Sequence, residues 1–257
     1  MLMKNIRIII LLIFLVLVAS KTYAQNINSG KSFFEGPYVG GAIGYTKFKN
    51  RFNDPMSETA DGWYLWDNNG NPFNLLDLKK SKITGIVSAG NNWVFNRNYL
   101  LGFEAEISSG HDQKWKSANT GRPTSDRGNL QEDINYIANL RIKVGTVYED
   151  KNLLYLTAGP TIANAKYHAF YSSGEVEGEF PISIDKKVYG LSYGVGVERQ
   201  IEDKGSMKLE YILTDLDSAS KPYVNNTGSA CYYADDCRGP SWKTKISSIR
   251  IGYNYHF

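Results

Sequence analysis

Beyond its first 20 residues the sequence has no long apolar run. No later stretch approaches the roughly 20 consecutive apolar residues that a membrane-crossing helix needs, which excludes a helical membrane protein. Histidine is also scarce, at three residues, and cysteine at two. Tyrosine and glycine, in contrast, are abundant, with 18 and 24 residues. Such a composition suits a soluble β-sandwich or a transmembrane β-barrel, whose alternating segments give only a weak hydropathy signal.

The first 24 residues have the pattern of a secretory signal peptide. Lys4 and Arg7 precede an apolar core from Ile8 to Val18, and the small-residue site Thr22-Tyr23-Ala24 follows. Because this core is too short to cross a bilayer, we expect residues 1–24 to be removed after Ala24 rather than retained as an anchor.

Removal of this segment leaves a neutral chain. Of the 29 basic residues, Lys4, Arg7 and Lys21 lie in the signal, so 26 remain against 26 acidic residues. A balanced charge gives no reason to expect nucleic acid as a partner.

Alternation of apolar and polar residues then predicts eight strands. Period two indicates a strand with two different faces. Five segments alternate cleanly: Leu101–Ser108, Tyr136–Val144, Leu191–Glu198, Met207–Ile212 and Ile249–Phe257. Three are less regular: Tyr38–Lys47, Ile83–Trp93 and Leu153–Ala165, the last of which contains Pro160. Proline removes a ladder donor, so Pro160 counts slightly against a closed barrel.

The connections between these segments alternate in length. Short connections are expected at 94–98, 149–152 and 201–205, and long polar ones near 49–82, 109–133, 166–187 and 217–242. Strict alternation is typical of outer-membrane barrels with short periplasmic turns and long extracellular loops. The sequence therefore predicts an all-β fold, an eight-stranded antiparallel up-and-down transmembrane β-barrel over 36–257. Residues 25–35 would form an N-terminal periplasmic segment.

Four stretches resemble the bacterial outer-membrane β-barrel family of opacity-like surface antigens and alphaproteobacterial major outer-membrane proteins, which belong to the porin family in the wide sense. They are GPYVGGAIGY, LLGFEAEI, YGLSYGVGVE with SMKLEYILTDL, and the final IRIGYNYHF. The resemblance implies the outer membrane of a Gram-negative bacterium. It also implies that Ile251, Tyr253, Tyr255 and Phe257 are similar to the signal that the barrel-assembly machinery reads.

The predicted inward positions carry equal numbers of acids and bases: Glu104, Glu106, Glu198, Glu210, Arg141, Lys143, Lys208 and Arg250. We expect Glu198 level with Lys208, Glu104 and Glu106 near Lys143 and Arg141, and Glu210 beside the strand of Arg250. An eight-stranded barrel is just wide enough to be filled by side chains, and unpaired buried charges are very unfavourable. A lumen plugged by charge pairs is therefore expected, with a narrow channel for small solutes as the alternative.

Catalysis is not expected. His111, near Ser108 and Asp112, only superficially resembles a catalytic triad, since adjacent residues on a strand point apart; we predict a solvated loop there. His168 with its aromatic neighbours could bind haem, although an aromatic girdle explains the same residues. The segment DNNGN begins like a calcium loop, but Pro72 and Leu78 occupy positions that require glycine and an acid. We expect no cofactor and no metal.

Cys231 and Cys237 lie in the last long loop and are expected to form a disulfide, because export passes through an oxidising compartment. The predicted function is a structural, surface-facing barrel that displays its loops as an antigen or for adhesion. Its expected partners are outer-membrane lipid, the assembly machinery and an unknown extracellular partner. A ligand binder using Trp63, Tyr64 and Trp66 is a further alternative.

Overall fold

The computed structural model describes residues 32–53, 75–116, 127–172, 182–220 and 241–257. These residues form β-strands and their short connections. The strands are β1 (Gly36–Asn53), β2 (Leu75–Phe95), β3 (Tyr99–Lys116), β4 (Arg127–Tyr148), β5 (Asn152–Ser172), β6 (Ile182–Gln200), β7 (Gly205–Leu216), β8 (Ala219–Ser220) and β9 (Ser241–His256). No helix in the described ranges has the length and hydrophobicity to cross a membrane.

The long strands close into a barrel. Each pairs antiparallel with the next along the chain from β1 to β7, β9 follows β7, and β9 also pairs with β1. The two-residue β8 pairs with the outer part of β9, and thus continues the line of β7. The eight long strands of the described chain therefore confirm the predicted eight-stranded up-and-down barrel.

All three short connections lie where the sequence predicts them. The chain turns between Phe95 and Tyr99, between Tyr148 and Asn152, and between Gln200 and Gly205. Asn96 and Arg97 both have positive φ, and the Asn98 N–H donates to the Phe95 carbonyl at 3.1 Å. This is the geometry of a type I′ turn, whose twist matches that of the flanking strands.

The strands continue well beyond the predicted segments on the side of the long connections. β4 has 22 residues, whereas about 9–11 suffice to cross a membrane. The interpretation of 49–53, 75–82, 109–116, 127–133, 166–172 and 182–187 as loops was therefore wrong. In β1 the polarity of the two faces inverts: Ile43 and Tyr45 point outward, whereas beyond them Phe48 and Phe52 point inward. The alternation persists, but its apolar side changes from the lipid to the interior.

Pro160 is accommodated inside the wall. It faces outward in β5 opposite Leu191 of β6, and the pairing of β4 with β5 is interrupted between Asn139↔Thr161 and Ile142↔Ala158. A proline has no N–H to donate, so a local gap in one ladder is the expected consequence. The barrel closes despite this gap.

Candidate functional site: the charged lumen of the barrel

The eight predicted charges converge inside the barrel. They come from β3, β4, β6, β7 and β9, and their exposure ranges from 0 to 6%. We call this set the lumen network: Glu104, Glu106, Arg141, Lys143, Glu198, Lys208, Glu210 and Arg250. It contains four acids and four bases, so its formal charge is balanced.

Glu104 lies at the centre of the lumen network. Arg141 Nη2 donates to its Oε1 at 2.6 Å, and Lys208 Nζ donates to its Oε2 at 3.0 Å. The Tyr38 hydroxyl also donates to Oε2 at 3.0 Å. One carboxylate is therefore held by donors from three different strands, β4, β7 and β1.

Glu106 forms the second centre. Arg141 Nη2 donates to it at 2.8 Å, and Arg250 Nη1 lies 2.7 and 2.9 Å from its two oxygens. The Asn139 amide contributes a further hydrogen bond of 2.8 Å. Arg141 thus joins the two central glutamates, and Arg250 reaches Glu106 from the opposite wall.

The sequence predicted the heights of these residues better than their partners. Glu198 is opposite Lys208 in the β6–β7 ladder, as expected. However, Lys208 contacts Glu104 and Glu210, and Glu198 accepts hydrogen bonds from Ser206 and Asn254 and contacts His256 at 3.1 Å. Glu198 and Lys208 are thus level but form their ion pairs with other residues, because inward side chains of a narrow barrel reach across the lumen.

Glu210 and Arg250 also form their ion pairs with other residues and not with each other. They are opposite each other in the β7–β9 ladder. Glu210 accepts a hydrogen bond from Tyr155 at 2.9 Å and contacts Lys208 at 3.5 Å, whereas Arg250 bonds to Glu106. Neighbouring strands therefore do not imply neighbouring charged groups.

Two tyrosines enclose the lumen network toward the short turns. Lys143 Nζ lies 4.7 Å from the centre of the Tyr38 ring and 4.5 Å from that of Tyr155, within cation–π distance. A Cβ on Gly196 would collide with the Tyr155 ring. The missing side chain of Gly196 in β6 thus leaves the space in which the Tyr155 ring crosses the lumen.

A layer of hydroxyl and amide groups lies on the other side of the charges. Ser192 Oγ is 2.6 Å from Thr214 Oγ1 and donates to Asn139 Oδ1 at 2.9 Å. Across the lumen, Thr46 Oγ1 lies 2.8 Å from both Thr84 and Ser248. These groups link the strands of the wall at a level where charge gives way to neutral polar side chains.

The extended part of the barrel encloses an apolar core that sequence reasoning missed. Its buried residues are Phe48, Phe52, Ile134, Ile137, Ala163, Ala165, Tyr167, Ile184, Val188, Leu216, Ala219, Trp242 and Ile246. The sequence feature that indicates this core is the inverted alternation of β1, in which the apolar side chains beyond Tyr45 point inward. Burial of these apolar side chains stabilises the barrel only if water is excluded from the lumen at this level.

His111 lies within this core, so its assignment to a solvated loop was wrong. It belongs to β3, stacks on Phe48 at a centroid distance of 3.7 Å and contacts Glu132 at 3.3 Å. Thr244 donates to the other oxygen of Glu132 at 2.6 Å, and the Tyr167 hydroxyl lies 3.2 Å from Thr244. Burial, followed by the nearby Glu132 carboxylate, raises the pKa of Tyr167.

The short-turn end of the lumen is closed by the segment that precedes β1. Phe34 is fully buried and packs with Leu100, Val147, Leu153 and Tyr155. Its carbonyl accepts a hydrogen bond from Asn92 at 3.1 Å. Phe33 and Phe34 belong to the predicted periplasmic segment 25–35, for which the sequence had indicated no contact with the barrel.

The residues of the predicted assembly signal all point outward. Ile251, Tyr253 and Tyr255 lie on β9, and Phe257 directly follows it. The Phe257 N–H donates to the Pro37 carbonyl at 3.1 Å, and its ring packs edge-on to Tyr255 at 5.3 Å. The set therefore lies along the seam at which β9 closes the barrel against β1.

The remaining predicted sites do not belong to the lumen network. His168 is exposed on β5, whereas Tyr167 faces the interior, so the two do not share one surface. Cys231, Cys237, Trp63, Tyr64 and Trp66 lie outside the described residues, as does the predicted signal 1–24. Their disulfide, ligand and targeting roles stay predictions.

Three lumen carboxylates come close enough to suggest a cation site. One oxygen from each of Glu104, Glu106 and Glu210 lies within 4.8 Å of the others. Arg141 and Lys208 already occupy the space between them, with contacts of 2.6 to 3.8 Å. Side-chain cations thus neutralise this cluster.

A closed antiparallel barrel with an apolar outer band and a charged, buried interior defines an integral outer-membrane protein of the β-barrel class. The chain belongs to the outer membrane protein beta-barrel domain family, whose model matches residues 10–257. The family resemblance and the predicted location in the outer membrane of a Gram-negative bacterium are thereby confirmed.

Two curated relatives match most of the chain. They are the 31 kDa outer-membrane immunogenic proteins of Brucella melitensis and Brucella suis, each 24% identical over 228 residues, which cover 86% of this chain and 83% of theirs. Among solved structures, Neisserial surface protein A matches with 13% identity and a TM-score of 0.42, covering 89% of this chain and all of that one. The outer-membrane protease OmpT of Escherichia coli matches with 13% identity and a TM-score of 0.46, covering 90% of this chain and 99% of that one. At these scores neither neighbour's activity carries over to this chain.

Proposed function

We propose that this protein is a structural, non-enzymatic surface antigen, which anchors in the outer membrane with a plugged lumen and displays its long connections to the environment. The observation that carries the proposal is the burial of all eight charges of the lumen network in mutual contact. Charges that line a water-filled path are solvated, whereas these exclude solvent and compensate one another.

Two further layers support a plugged lumen. The apolar core lies on the side of the long connections, and Phe34 lies on the side of the short turns. An ion crossing the barrel would have to displace both of them as well as the lumen network. The three layers are formed by different residues at different heights of the barrel, so opening one of them leaves the others in place.

The geometry around His111 supports a non-enzymatic role. The Ser108 hydroxyl donates to the Ile137 carbonyl at 3.5 Å, while His111 contacts Glu132 and Asp112 is exposed on the outside. A nucleophile hydrogen-bonded to the histidine is the feature that a triad requires. Here the histidine packs against an aromatic ring and an acid inside the apolar core.

If the long connections are displayed at the surface, an epitope tag in a long connection should be accessible to antibody on intact cells, and a tag in a short turn should not. A peptide epitope inserted after Thr227, in the last long connection, should be stained by antibody on intact cells, because long connections of outer-membrane barrels face outward. The same epitope inserted after Asp203, in the short turn between β6 and β7, should be stained only after the outer membrane is permeabilised. Staining of the Asp203 insertion alone on intact cells would reverse the orientation and refute surface display of the long connections.

A plugged lumen predicts that the purified barrel does not conduct. Folded protein in planar bilayers should give no conductance steps beyond those of protein-free membranes, and heat-modifiable gel migration of the same sample would show that it is folded. Arg250→Ala serves as the probe, because Arg250 is the most exposed member of the lumen network. Reproducible steps whose ion selectivity changes in Arg250→Ala would replace the plugged barrel with a narrow channel.

A further inference from the structure

The wall of the barrel divides between β2 and β3. Between the described residues of these two strands, the ladder extends from the short turn only as far as Ile86↔Ser108. β2 nevertheless continues to its first residue in its ladder with β1, and β3 continues to its last residue in its ladder with β4. Residues 79–85 of β2 and 109–112 of β3 therefore lie on the two sides of a divided wall, which we call the fork.

Two side-chain hydrogen bonds join the strands across the fork. At its base the Gly85 N–H donates to Ser109 Oγ at 3.1 Å. Farther out, Lys80 Nζ donates to the Asp112 carbonyl at 3.0 Å. Both bonds are exposed, and single exposed bonds break more easily than a run of backbone bonds that opens cooperatively.

A shift in the alternation of β3 turns His111 toward the inside of the fork. Ser109 and Asp112 are both exposed, although residues three apart on a regular strand face opposite sides. A Cβ on Gly110 would collide with a backbone carbonyl of β4, so this local shape requires glycine. Irregularities of this kind re-aim a side chain. Here His111 of β3 reaches past β2 and stacks on Phe48 of β1 at a centroid distance of 3.7 Å, so its ring covers the fork from inside.

The fork separates two apolar environments. On the outer face Gly85 lies between Ile83 and Val87, whose side chains are more than half exposed in the lipid-facing band. On the inner face lies the apolar core of the extended part, to which Phe48 belongs. An opening at the fork would connect the lipid-facing surface with this core without passing the lumen network.

We propose that the fork is a lateral gate, which admits an apolar chain or ring from the outer leaflet to the apolar core. Opening breaks the two hydrogen bonds across the fork and moves His111 off Phe48, and the vacated face of Phe48 accepts the apolar group. Glu132, which His111 contacts in the closed gate, keeps its hydrogen bond from Thr244. A polar molecule would lose its hydration at the gate without gaining partners, so the gate selects apolar groups. Because the gate lies beyond the lumen network, it does not depend on whether the lumen is plugged.

The test measures how fast a cysteine in the apolar core reacts with thiol reagents. The reporter is Ala165→Cys, because Ala165 is fully buried in this core, in full-length protein that also carries Cys231→Ser and Cys237→Ser. The protein is folded in phosphatidylcholine vesicles, and each rate is divided by that of the urea-unfolded protein. A buried group that reacts only through an open state does so at a rate proportional to the open fraction.

The gate variant, Lys80→Met with Ser109→Ala, removes both bonds across the fork by changing exposed side chains only. An apolar maleimide should react about tenfold faster with it, since one exposed hydrogen bond contributes a factor of about three. The matched control is Lys47→Met with Ser247→Ala. These two residues are opposite each other in the β1–β9 ladder, which is continuous at that level, so the rate should change by less than about twofold.

Two further measurements distinguish the gate from other openings. A charged maleimide of similar size should react with the Ala165→Cys reporter at least about tenfold more slowly than the apolar one, because it would have to leave water. A second reporter, Ser192→Cys, lies in the buried hydroxyl layer of the lumen and should react equally slowly in the wild-type background and in the gate variant.

Three results would overturn the proposal. The first is that the apolar reagent reacts equally fast in the gate variant and in the matched control. The second is that the two reagents have equal normalised rates, which would mean that the core opens to water and not to lipid. The third is an equal rise at Ser192→Cys, which would mean that the whole barrel opens. Heat-modifiable migration would establish that every variant is folded.

Discussion

Replacing Arg141 with alanine is expected to lower the free energy of unfolding by about 3–5 kcal/mol, the usual cost of breaking a buried ion pair by removing one partner. Arg141 is fully buried and joins Glu104 and Glu106 through bonds of 2.6 and 2.8 Å. Without it the lumen network holds four carboxylates against three cations. The measurement is urea unfolding of protein folded in lipid vesicles, followed by heat-modifiable gel migration.

The matched control is Arg199→Ala. Arg199 is exposed on β6, so the same substitution there should change stability by less than about 0.5 kcal/mol. A difference between the two variants would then report the burial of the charge and not the loss of an arginine side chain as such.

A second change should restore part of the stability lost in Arg141→Ala. Glu104→Gln removes one negative charge while keeping the shape of the side chain. The remaining charges can then pair as Glu106 with Arg250, Glu210 with Lys208 and Glu198 with Lys143, contacts of 2.7, 3.5 and 4.0 Å in the present structure. If Arg141→Ala costs less than about 1 kcal/mol, the network is solvated and the burial argument fails.

Deleting Phe257 is expected to remove most of the protein from the outer membrane while leaving export to the periplasm intact. Phe257 lies at the seam that closes the barrel: its N–H pairs with Pro37, and its ring packs on Tyr255. Family resemblance implies that this aromatic residue is read by the assembly machinery. The measurement is the amount of heat-modifiable protein in outer-membrane fractions during a short expression pulse.

Two substitutions separate recognition from lipid contact. Phe257→Tyr keeps an aromatic ring and should assemble nearly as well as the wild type. Phe95→Ser removes another exposed aromatic side chain at the same end of the barrel, without touching the seam, and should assemble far better than the deletion. Normal amounts and rate of assembly for the Phe257 deletion would refute the assembly-signal hypothesis.

The extended part of the barrel shows why a sequence pattern can be correct and its interpretation wrong. The sequence after Tyr45 continues to alternate, with Lys47 and Lys49 outward and Phe48 inward. In the membrane the apolar face must be outside, and beyond the membrane it must be inside, because the solvent of the wall changes from lipid to water. Because outward apolar residues stop at the membrane boundary, the predicted strands end there, and His111, which is buried in the extended part of β3, falls in a predicted loop.

The sequence by itself determined the class of protein, the number of strands, the positions of the short turns and the eight inward charges. These follow from period two, from turn residues and from the alternation of connection lengths, which are local properties of the chain. Only the tertiary structure decided which charges meet, because closing β9 onto β1 brings Arg250 to Glu106 and Lys208 to Glu104 across the lumen. It also decided that Phe34 closes one end and that His111 stacks on Phe48. Such contacts depend on register between strands far apart in sequence, and this register is fixed by barrel closure and not by any local pattern.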